Sequence, residues 1–308
     1  MLSIFFALQI KTMEKIAVIG AGTMGNGIAH TFAQFGYSVF LVDVNEASLQ
    51  KGLATIAKNL DRQVAKGQIT EEQKNETLSR IAPQSQIDET LTDVSLVVEA
   101  ASENFEIKAS IFKQLDSVCN SNCILASNTS SISITRIAAV TKRADKVIGM
   151  HFMNPVPVMK LVEVINGYST SKATSERVVA LSNSLAKIPV LVNDYPGFVA
   201  NKILMPMINE AIITLQEGVA GVSEIDTVMK LGMAHPMGPL QLADFIGLDI
   251  CLSILRVLQD GFGNPKYAPS PLLVNMVTAG HLGVKTGVGF YDYSGGTREL
   301  IVSKQFAK

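Results

Sequence analysis

The chain has 308 residues, of which 47% are hydrophobic and 17% are charged, and its formal net charge is -1. This composition is typical of a folded protein of about two domains and excludes a disordered chain. The balanced charge, without a long basic run, argues against nucleic-acid binding.

The chain contains three cysteines, Cys119, Cys123 and Cys251. They are too few and too scattered for a disulfide framework, and the CxxxC spacing of the first two is not that of a zinc site. We therefore predict reduced thiols in a cytoplasmic protein, and no metal site.

The first twelve residues contain a short apolar run, Ile4 to Ile10, with no positive charge before it. A secretory signal needs that charge, and a membrane span needs roughly 20 apolar residues. A mitochondrial leader would be rich in arginine, which this segment lacks. We interpret residues 1–12 as a non-native or disordered extension ahead of Met13, and we expect no membrane insertion.

From Lys15 onward, strand and helix patterns alternate. The pattern predicts a strand over KIAVIG, a helix over GTMGNGIAHTFAQFG that ends at Gly36, and a strand over YSVFLVD that ends at Asp43. A long amphipathic helix is predicted from Glu46 to Lys66, and another over TEEQKNETLSRI. Further runs of strand length are SLVVEA, CILASN and KVIGMHF, separated by helical segments such as NFEIKASIFKQLDSV. This alternation predicts a parallel, doubly wound Rossmann-type sheet.

The pattern changes near Tyr195-Pro196-Gly197, after which it is helical. Helices are predicted over FVANKILMPMINEAIITLQEG, ending at Gly218, over SEIDTVMKLG, capped at Ser223 and ending at Gly232, and over PLQLADFIGLDICLSILRVLQDG as a single stretch.

We therefore predict an α/β domain over residues 13–195 and a smaller all-helical domain over residues 196–308. The helices of the second domain are too apolar for one small bundle to cover. Exposed apolar surface of that size usually marks an interface, so we expect a homodimer formed through these helices.

The glycines Gly20, Gly22 and Gly25 fit the G-x-G-x-x-G pattern between a predicted strand and a predicted helix. The first glycine permits a tight turn, the second lets the backbone approach a pyrophosphate, and the third lets the helix pack close to the strand. Asp43 ends the next strand and is suited to accept hydrogen bonds from a ribose diol. Val44-Asn45 offers no cation for a 2′-phosphate, so the pattern favours NAD over NADP, and little else resembles a flavin domain.

A histidine and a glutamate, His151 and Glu163, lie within apolar runs of GMHFMNPVPVMKLVEVI. Histidine suits proton transfer in alcohol oxidation because its ordinary pKa lies near neutral pH, and a carboxylate on the far ring nitrogen fixes the tautomer. The Asn154-Pro155-Val156-Pro157 turn is suited to fold the chain back and bring the two together. Ser130 and Asn201 are candidates to hold the substrate oxygen. From residue types alone, a structural His–Glu pair is as plausible as a catalytic one.

Six motifs occur in the order found in the L-3-hydroxyacyl-CoA dehydrogenases: IGAGTMG, ASNTSS, GMHFMNPVPVMKLVEVI, PGFVANKI, HPMGPLQLADFIGLDI and GVKTGVGFYDY. The chain resembles this family from about Lys15 to Tyr293, and within it the bacterial 3-hydroxybutyryl-CoA dehydrogenases. The resemblance implies an NAD-dependent oxidation of a 3-hydroxyacyl-CoA thioester, and the reverse reduction.

The resemblance also implies a role for single residues. His151 is expected to be the general acid/base, Glu163 its partner, and Ser130 and Asn201 the groups that hold and polarise the substrate oxygen. Contacts with NAD are expected at Gly20, Gly22, Thr23, Met24, Gly25, Asp43, Glu103, Lys108, Ser130, Asn154 and Lys285. Contacts with the acyl-CoA are expected at Asn59, Lys66 and Lys108. Asn59 stands where some members of the family have serine.

Three other functions compete with this interpretation. The first is a related dehydrogenase that acts on a hydroxy acid without CoA, and the second is a non-catalytic dinucleotide-binding or structural protein. The third is a Ser-His-Glu hydrolase, although the chain has no G-x-S-x-G elbow.

Overall fold

The computed structural model describes residues 13–296 and 299–307, so the interpretation of residues 1–12 lies outside the described part of the chain. The chain divides between Asp194 and Tyr195 into two compact units.

The described residues of the first unit, 13–194, contain one eight-stranded sheet and six α-helices. The order of the strands across the sheet is β3-β2-β1-β4-β5-β6-β7-β8. The strands are β1 (Lys15–Ile19), β2 (Ser38–Val42), β3 (Ile81–Gln84), β4 (Leu96–Glu99), β5 (Ile124–Ser127), β6 (Val147–Phe152), β7 (Leu161–Asn166) and β8 (Ile188–Asn193). The helices are α1 (Thr23–Gln34), α2 (Glu46–Ala65), α3 (Glu71–Ser79), α4 (Phe105–Val118), α5 (Ile134–Ala138) and α6 (Lys172–Ser184). The predicted Rossmann-type fold is confirmed.

The central strands are buried on both faces. Consecutive residues of a strand point to opposite faces, and Ile16 and Val18 on β1 are as fully buried as Ala17 between them. Ile28 and Phe32 of α1 belong to the same apolar cluster. Strands that are buried in this way appear in a sequence as continuous apolar runs, so the sequence alone predicted them.

The sequence predicted a parallel sheet, but the sheet is not parallel throughout. Strands β1 to β6 are parallel, whereas β7 is antiparallel to β6 and β8 is parallel to β7. The physical reason is the short connection between β6 and β7, because a parallel partner requires a crossover of a dozen or more residues.

Two strands that the sequence did not reveal lie at the edges of the sheet. The helix predicted over TEEQKNETLSRI ends at Ser79, and β3 begins at Ile81. Pro83 lies in β3 and Pro189 in β8. Proline cannot donate a hydrogen bond to a neighbouring strand, so it is tolerated only in an edge strand. Because proline usually argues against a strand, these two strands were not predicted from the sequence.

The second unit is mostly helical but not entirely so. It contains α7 (Ala200–Gln216), α8 (Val222–Thr227), a π-helical turn (Val228–Gly232), α9 (Pro239–Ile246), α10 (Leu248–Phe262) and α11 (Pro271–Thr278). The strands β9 (Tyr291–Asp292) and β10 (Ile301–Val302) form a short antiparallel pair beside these helices, and the predicted helical fold of the second domain is confirmed.

Two helix predictions in this unit were wrong in detail. The stretch that begins at Pro239 forms two helices, because Gly247 has φ +101° and ends α9 before α10 begins. The helix expected to be capped at Ser223 begins at Val222, with Gly221 at its cap position. In the described part of the chain, no helix is both long and apolar enough to cross a membrane.

Candidate active site

The glycine turn after β1 has the geometry that a dinucleotide requires. Gly20 has φ +100°, and a Cβ there would lie 2.7 Å from the carbonyl oxygen of Ala100. A Cβ on Gly25 would lie 1.7 Å from the carbonyl oxygen of Gly20, so only glycine lets α1 pack this closely. Around Gly22, by contrast, no protein atom lies within 4 Å of the Cβ position. Gly22 is also the N-cap of α1, and the first N–H groups of a helix have no partner within the helix and suit an anion.

Asp43 stands at the rim of a cavity of about 600 Å³ on one side of this turn. Its Oδ2 accepts a hydrogen bond from the N–H of Ala21 at 2.8 Å, and its Oδ1 accepts one from the N–H of Asn45 at 2.9 Å. These two bonds fix the carboxylate beside the glycine turn. Apolar side chains line the same cavity: Val44, Ile87, Ile107 and Ile111. A carboxylate at the edge of an apolar slot fits an adenosine, with its ribose against Asp43.

A second cavity, of about 320 Å³, lies on the other side of the glycine turn. Gly22 lines both cavities. The structure brings together here Asn59 of α2 and Asn154 of the β6–β7 connection, two of the predicted contact residues, and adds Lys51. Lys66 follows the end of α2 and is exposed to solvent.

His151 and Glu163 lie directly opposite each other on β6 and β7. The His151 Nδ1 is 2.8 Å from the Glu163 Oε2, and the two residues are 7% and 2% exposed. The expectation that the Asn-Pro turn brings these residues together is confirmed. Because an ionised carboxylate only accepts hydrogen bonds, Glu163 favours a proton on the Nδ1, and in the neutral tautomer with that proton the Nε2 presents a lone pair.

Ser130 lies on the other side of the imidazole. Its Oγ is 3.0 Å from the Nε2 of His151, so Ser130, His151 and Glu163 form one chain of hydrogen bonds. The loop that carries Ser130 is held at the backbone as well. The amide side chain of Asn128 accepts a hydrogen bond from the N–H of Phe152, at the end of the histidine's own strand, at 2.9 Å.

Glu103 fixes the serine loop through a single oxygen atom. Its Oε1 accepts hydrogen bonds from the N–H groups of Ser130 and Ser131, both at 3.0 Å, and from the hydroxyl of Thr129 at 2.6 Å. Glu103 was predicted as a cofactor contact, and the structure places it where it also positions Ser130.

Lys108 is buried among carboxylates. Its side chain is 1% exposed, and its ammonium donates to both carboxylate oxygens of Glu99, at 2.8 and 3.0 Å. It also lies 3.5 Å from the Oε2 of Glu103. Lys108 therefore holds Glu99 and Glu103, and through them the serine loop. The contacts of Lys108 with NAD and acyl-CoA stay predictions.

Sequence reasoning missed Glu99 and Asn128. Glu99 ends β4, accepts a hydrogen bond from the hydroxyl of Ser127 at 2.7 Å, and is fully buried. A signal was present, since Glu99 closes the apolar run SLVVEA and a buried carboxylate needs a partner. That partner is Lys108, nine residues further along the chain, and its identity depends on which face of α4 packs against the sheet.

Two predicted site residues belong to the second unit. Asn201 lies in the first turn of α7, where its N–H donates to the carbonyl of Gly197 at 3.1 Å. The ammonium of Lys285 lies 2.5 Å from the Oδ1 of Asp249. The roles assigned to Asn201 and Lys285 stay predictions. Among the residues that the structure describes, no group of histidine, cysteine, aspartate and glutamate side chains is arranged to hold a metal ion.

A Rossmann sheet with a glycine cradle for a dinucleotide, beside a buried imidazole that a carboxylate orients, defines an NAD-linked oxidoreductase. Comparison with known proteins narrows this class. The family described as 3-hydroxyacyl-CoA dehydrogenase, NAD binding domain, matches residues 15–195, and the C-terminal domain of the same family matches residues 197–293. The chain belongs to the 3-hydroxyacyl-CoA dehydrogenase family, as its sequence motifs predicted.

Relatives of similar length support this assignment. The chain is 54% identical to the 3-hydroxybutyryl-CoA dehydrogenase of Bradyrhizobium diazoefficiens, over 92% of this chain and 96% of that protein. It is 44% identical to the mitochondrial hydroxyacyl-coenzyme A dehydrogenase of Homo sapiens, over 91% of each chain. The crystal structure of (S)-3-hydroxybutyryl-CoA dehydrogenase PaaH1 from Ralstonia eutropha matches with a TM-score of 0.89 and 53% identity, over 92% of this chain and all of that one.

Proposed function

We propose that the protein interconverts (S)-3-hydroxybutyryl-CoA and acetoacetyl-CoA with NAD, and that His151 is its general acid/base. The observation that carries the proposal is the hydrogen-bonded chain of Ser130, His151 and Glu163 beside the dinucleotide cradle. The four-carbon acyl group is supported by relatives at 53–54% identity that are named 3-hydroxybutyryl-CoA dehydrogenase.

NAD, held by the glycine turn and Asp43, would supply the hydride acceptor for the oxidation, and NADH would supply the hydride donor for the reverse reaction. In the oxidation, the lone pair on the Nε2 of His151 takes the proton of the substrate hydroxyl. The ring then carries a positive charge, which the Glu163 carboxylate at the Nδ1 stabilises. In the reduction, the same Nε2 gives the proton back to the substrate oxygen.

Ser130 is the group that orients the substrate oxygen. An oxygen that gives its proton to the Nε2 also comes within reach of the Ser130 hydroxyl, since that hydroxyl lies 3.0 Å from the Nε2. We propose Asn201 as the second polar group on this oxygen, on the strength of the family resemblance. For the CoA part we retain Asn59, which lines the second cavity, and the exposed Lys66.

The same three side chains could in principle serve a hydrolase, which needs backbone N–H groups beside the serine to stabilise an oxyanion. Here the N–H groups of Ser130 and Ser131 both donate to the carboxylate of Glu103. A carboxylate in that position disfavours a second negative charge. The geometry therefore favours proton transfer by His151 over nucleophilic attack by Ser130.

We also propose a cytoplasmic homodimer. Large apolar side chains on the second unit are exposed in the single chain, among them Ile203 at 67% and Leu231 at 82%. Burial of such side chains is the usual driving force of association. A dimer would have twice the mass of 33.1 kDa for one chain, which light scattering measures directly. The three cysteines are free and buried, in keeping with a reducing compartment.

The test of the function is the loss of NADH absorbance with acetoacetyl-CoA at neutral pH, repeated with free acetoacetate and with NADPH. Rapid loss with the thioester and NADH alone supports the proposal. Equal loss with the free acid would reassign the protein to a hydroxy-acid dehydrogenase that does not use CoA. Binding of NADH with no turnover of either substrate would contradict the proposal and favour a non-catalytic role.

A further inference from the structure

A buried lysine outside the catalytic chain, Lys187, contacts the segment that joins the histidine strand to the glutamate strand. Lys187 lies between α6 and β8 and is 7% exposed. Its ammonium donates to the carbonyl oxygen of Val156 at 2.5 Å and to that of Met159 at 2.8 Å. Both acceptors lie in the connection between β6 and β7, residues 153–160, which we call the 153–160 loop.

The partners of this ammonium are unusual for a buried cation. In the described part of the chain, no carboxylate lies within ion-pair distance of Lys187, so its bonds are to backbone carbonyls. Burial of a charge without a counterion has a cost, and it lowers the pKa of Lys187. The two hydrogen bonds of the Lys187 ammonium hold the backbone of the 153–160 loop at Val156 and Met159.

The loop also rests on the dinucleotide-binding helix. Val156 is 2% exposed, and a Cβ on Gly27 of α1 would lie 2.9 Å from the Cβ of Val156. The loop is therefore held by the side chain of Val156 against Gly27 and by two carbonyl groups on Lys187. Asn154 lies two residues before Val156, and it lines the cavity beside Gly22.

Asn154 also lies three residues after His151. The nicotinamide must lie near His151, because the hydride and the proton leave the same C–OH group of the substrate. We infer that Lys187 is a positioning residue for Asn154, and that through Asn154 it sets where the nicotinamide half of the cofactor lies relative to His151. The inference rests on the proposed role of Asn154 as a cofactor contact. It adds a residue that touches neither substrate nor cofactor in the proposed mechanism.

The test separates the two halves of the cofactor. Lys187→Met removes both hydrogen bonds and keeps the length of the side chain. We expect weaker NADH binding with unchanged affinity for ADP-ribose, which lacks the nicotinamide, and a fall in kcat of about 10- to 100-fold. Lys160→Met is the control, since Lys160 is an exposed lysine of the same loop, and both affinities and kcat should stay as in the parent protein.

A purely structural role would give a different result. Equal loss of NADH and ADP-ribose affinity, or unchanged NADH affinity and kcat, would overturn the inference. If Lys187→Met does not fold by circular dichroism, Gly27→Ala displaces Val156 through its new Cβ without removing a charge. The same selective loss of NADH affinity in that variant supports the inference, and its absence overturns it. The comparison of NADH with ADP-ribose needs no substrate, so it is independent of whether acetoacetyl-CoA is turned over.

Discussion

His151 and Glu163 occupy paired positions on adjacent antiparallel strands, and the Nδ1 of the imidazole lies 2.8 Å from the Oε2 of the carboxylate. Two neighbouring strands fix both side chains, so neither depends on a flexible loop for its position. The eleven residues between them contain only the 153–160 loop and the strand ends. This arrangement orients one tautomer of the histidine toward Ser130.

Replacement of His151 by alanine should lower kcat for acetoacetyl-CoA reduction by about 100- to 10,000-fold, because no other group near Ser130 is assigned to proton transfer. NADH binding, followed by its fluorescence, should stay close to that of the parent protein. Glu163→Gln should also lower kcat, because a neutral amide cannot stabilise the charged ring. His281→Ala, on the second unit, is the matched control. More than a tenth of the parent activity in His151→Ala would refute the assignment.

The sequence predicted part of this fold, but not the antiparallel direction of β7. The glycine turn, Asp43 and the central strands were predictable, because their signals are local: a fixed spacing and continuous apolar runs. The reversal of β7 depends on the length of the 153–160 loop, and the sequence suggested it only through the Asn-Pro pair. Edge strands such as β8 carry weak signals, because half-exposed strands are less apolar and tolerate proline.

Asp43 should determine the choice of cofactor. Asp43→Ala removes a negative charge from the rim of the adenosine slot, and it also removes the acceptor for the N–H of Ala21. We expect a weaker affinity for NADH and a smaller preference for NADH over NADPH, since the carboxylate no longer repels the 2′-phosphate. The ratio of kcat/KM for the two cofactors measures the effect. Asp93→Ala, which removes a carboxylate outside the cavity, should leave the ratio unchanged, and an unchanged ratio in Asp43→Ala would exclude this role.

Alanine substitutions at two glycines of the same turn should have different effects on stability. Gly25→Ala places a Cβ 1.7 Å from the carbonyl oxygen of Gly20, so the helix must move, and we expect loss of stability together with loss of NADH binding. Gly22→Ala meets no protein atom within 4 Å, so the fold should tolerate it, while the Cβ fills the space for the pyrophosphate. Thermal unfolding and NADH titration of both variants separate the two effects. Tight NADH binding by Gly22→Ala would contradict our placement of the pyrophosphate.

Replacement of Lys108 should lower stability, whereas replacement of Lys66 should weaken substrate binding alone. Lys108→Met leaves Glu99 buried without its partner, and breaking a buried ion pair costs about 3–5 kcal/mol of the free energy of unfolding. Lys66 is exposed, so Lys66→Met should leave stability unchanged and raise KM for acetoacetyl-CoA without changing KM for NADH. Urea unfolding and steady-state kinetics measure both. Parent-like stability of Lys108→Met would contradict the structural role that its burial indicates.

The case of Lys108 shows why part of the site could not be predicted. Family likeness and residue type both suggested a cation for a phosphate, and neither carries information about burial. The exposure of a lysine on a helix depends on which face packs against the sheet, and for Lys108 that face includes Glu99 of β4. The burial of Lys108 and its ion pairs therefore could not be predicted from the sequence.

His30 should give the protein a specific dependence of stability on pH. The pKa of His30 is lowered from 6.5 to about 4, chiefly by burial and in smaller part by the nearby Lys187 ammonium, while a hydrogen bond with Gln34 opposes the shift. The unfolded chain therefore takes up a proton at this residue before the folded protein does, and the free energy of unfolding falls by about 3 kcal/mol between pH 6.5 and pH 4. Above pH 6.5 the ring is neutral in both states and the penalty is absent.

The effect of His30 is measured as a difference, because burial raises the pKa of Asp244 to about 6 and acts in the opposite direction. Urea unfolding of the parent protein and of His30→Gln at several values between pH 7 and pH 4.5 isolates the histidine. The free energy of unfolding of the variant should fall less steeply with acid, whatever its value at pH 7, since glutamine does not titrate. Parallel curves for the two proteins would show that His30 is not buried as a neutral ring.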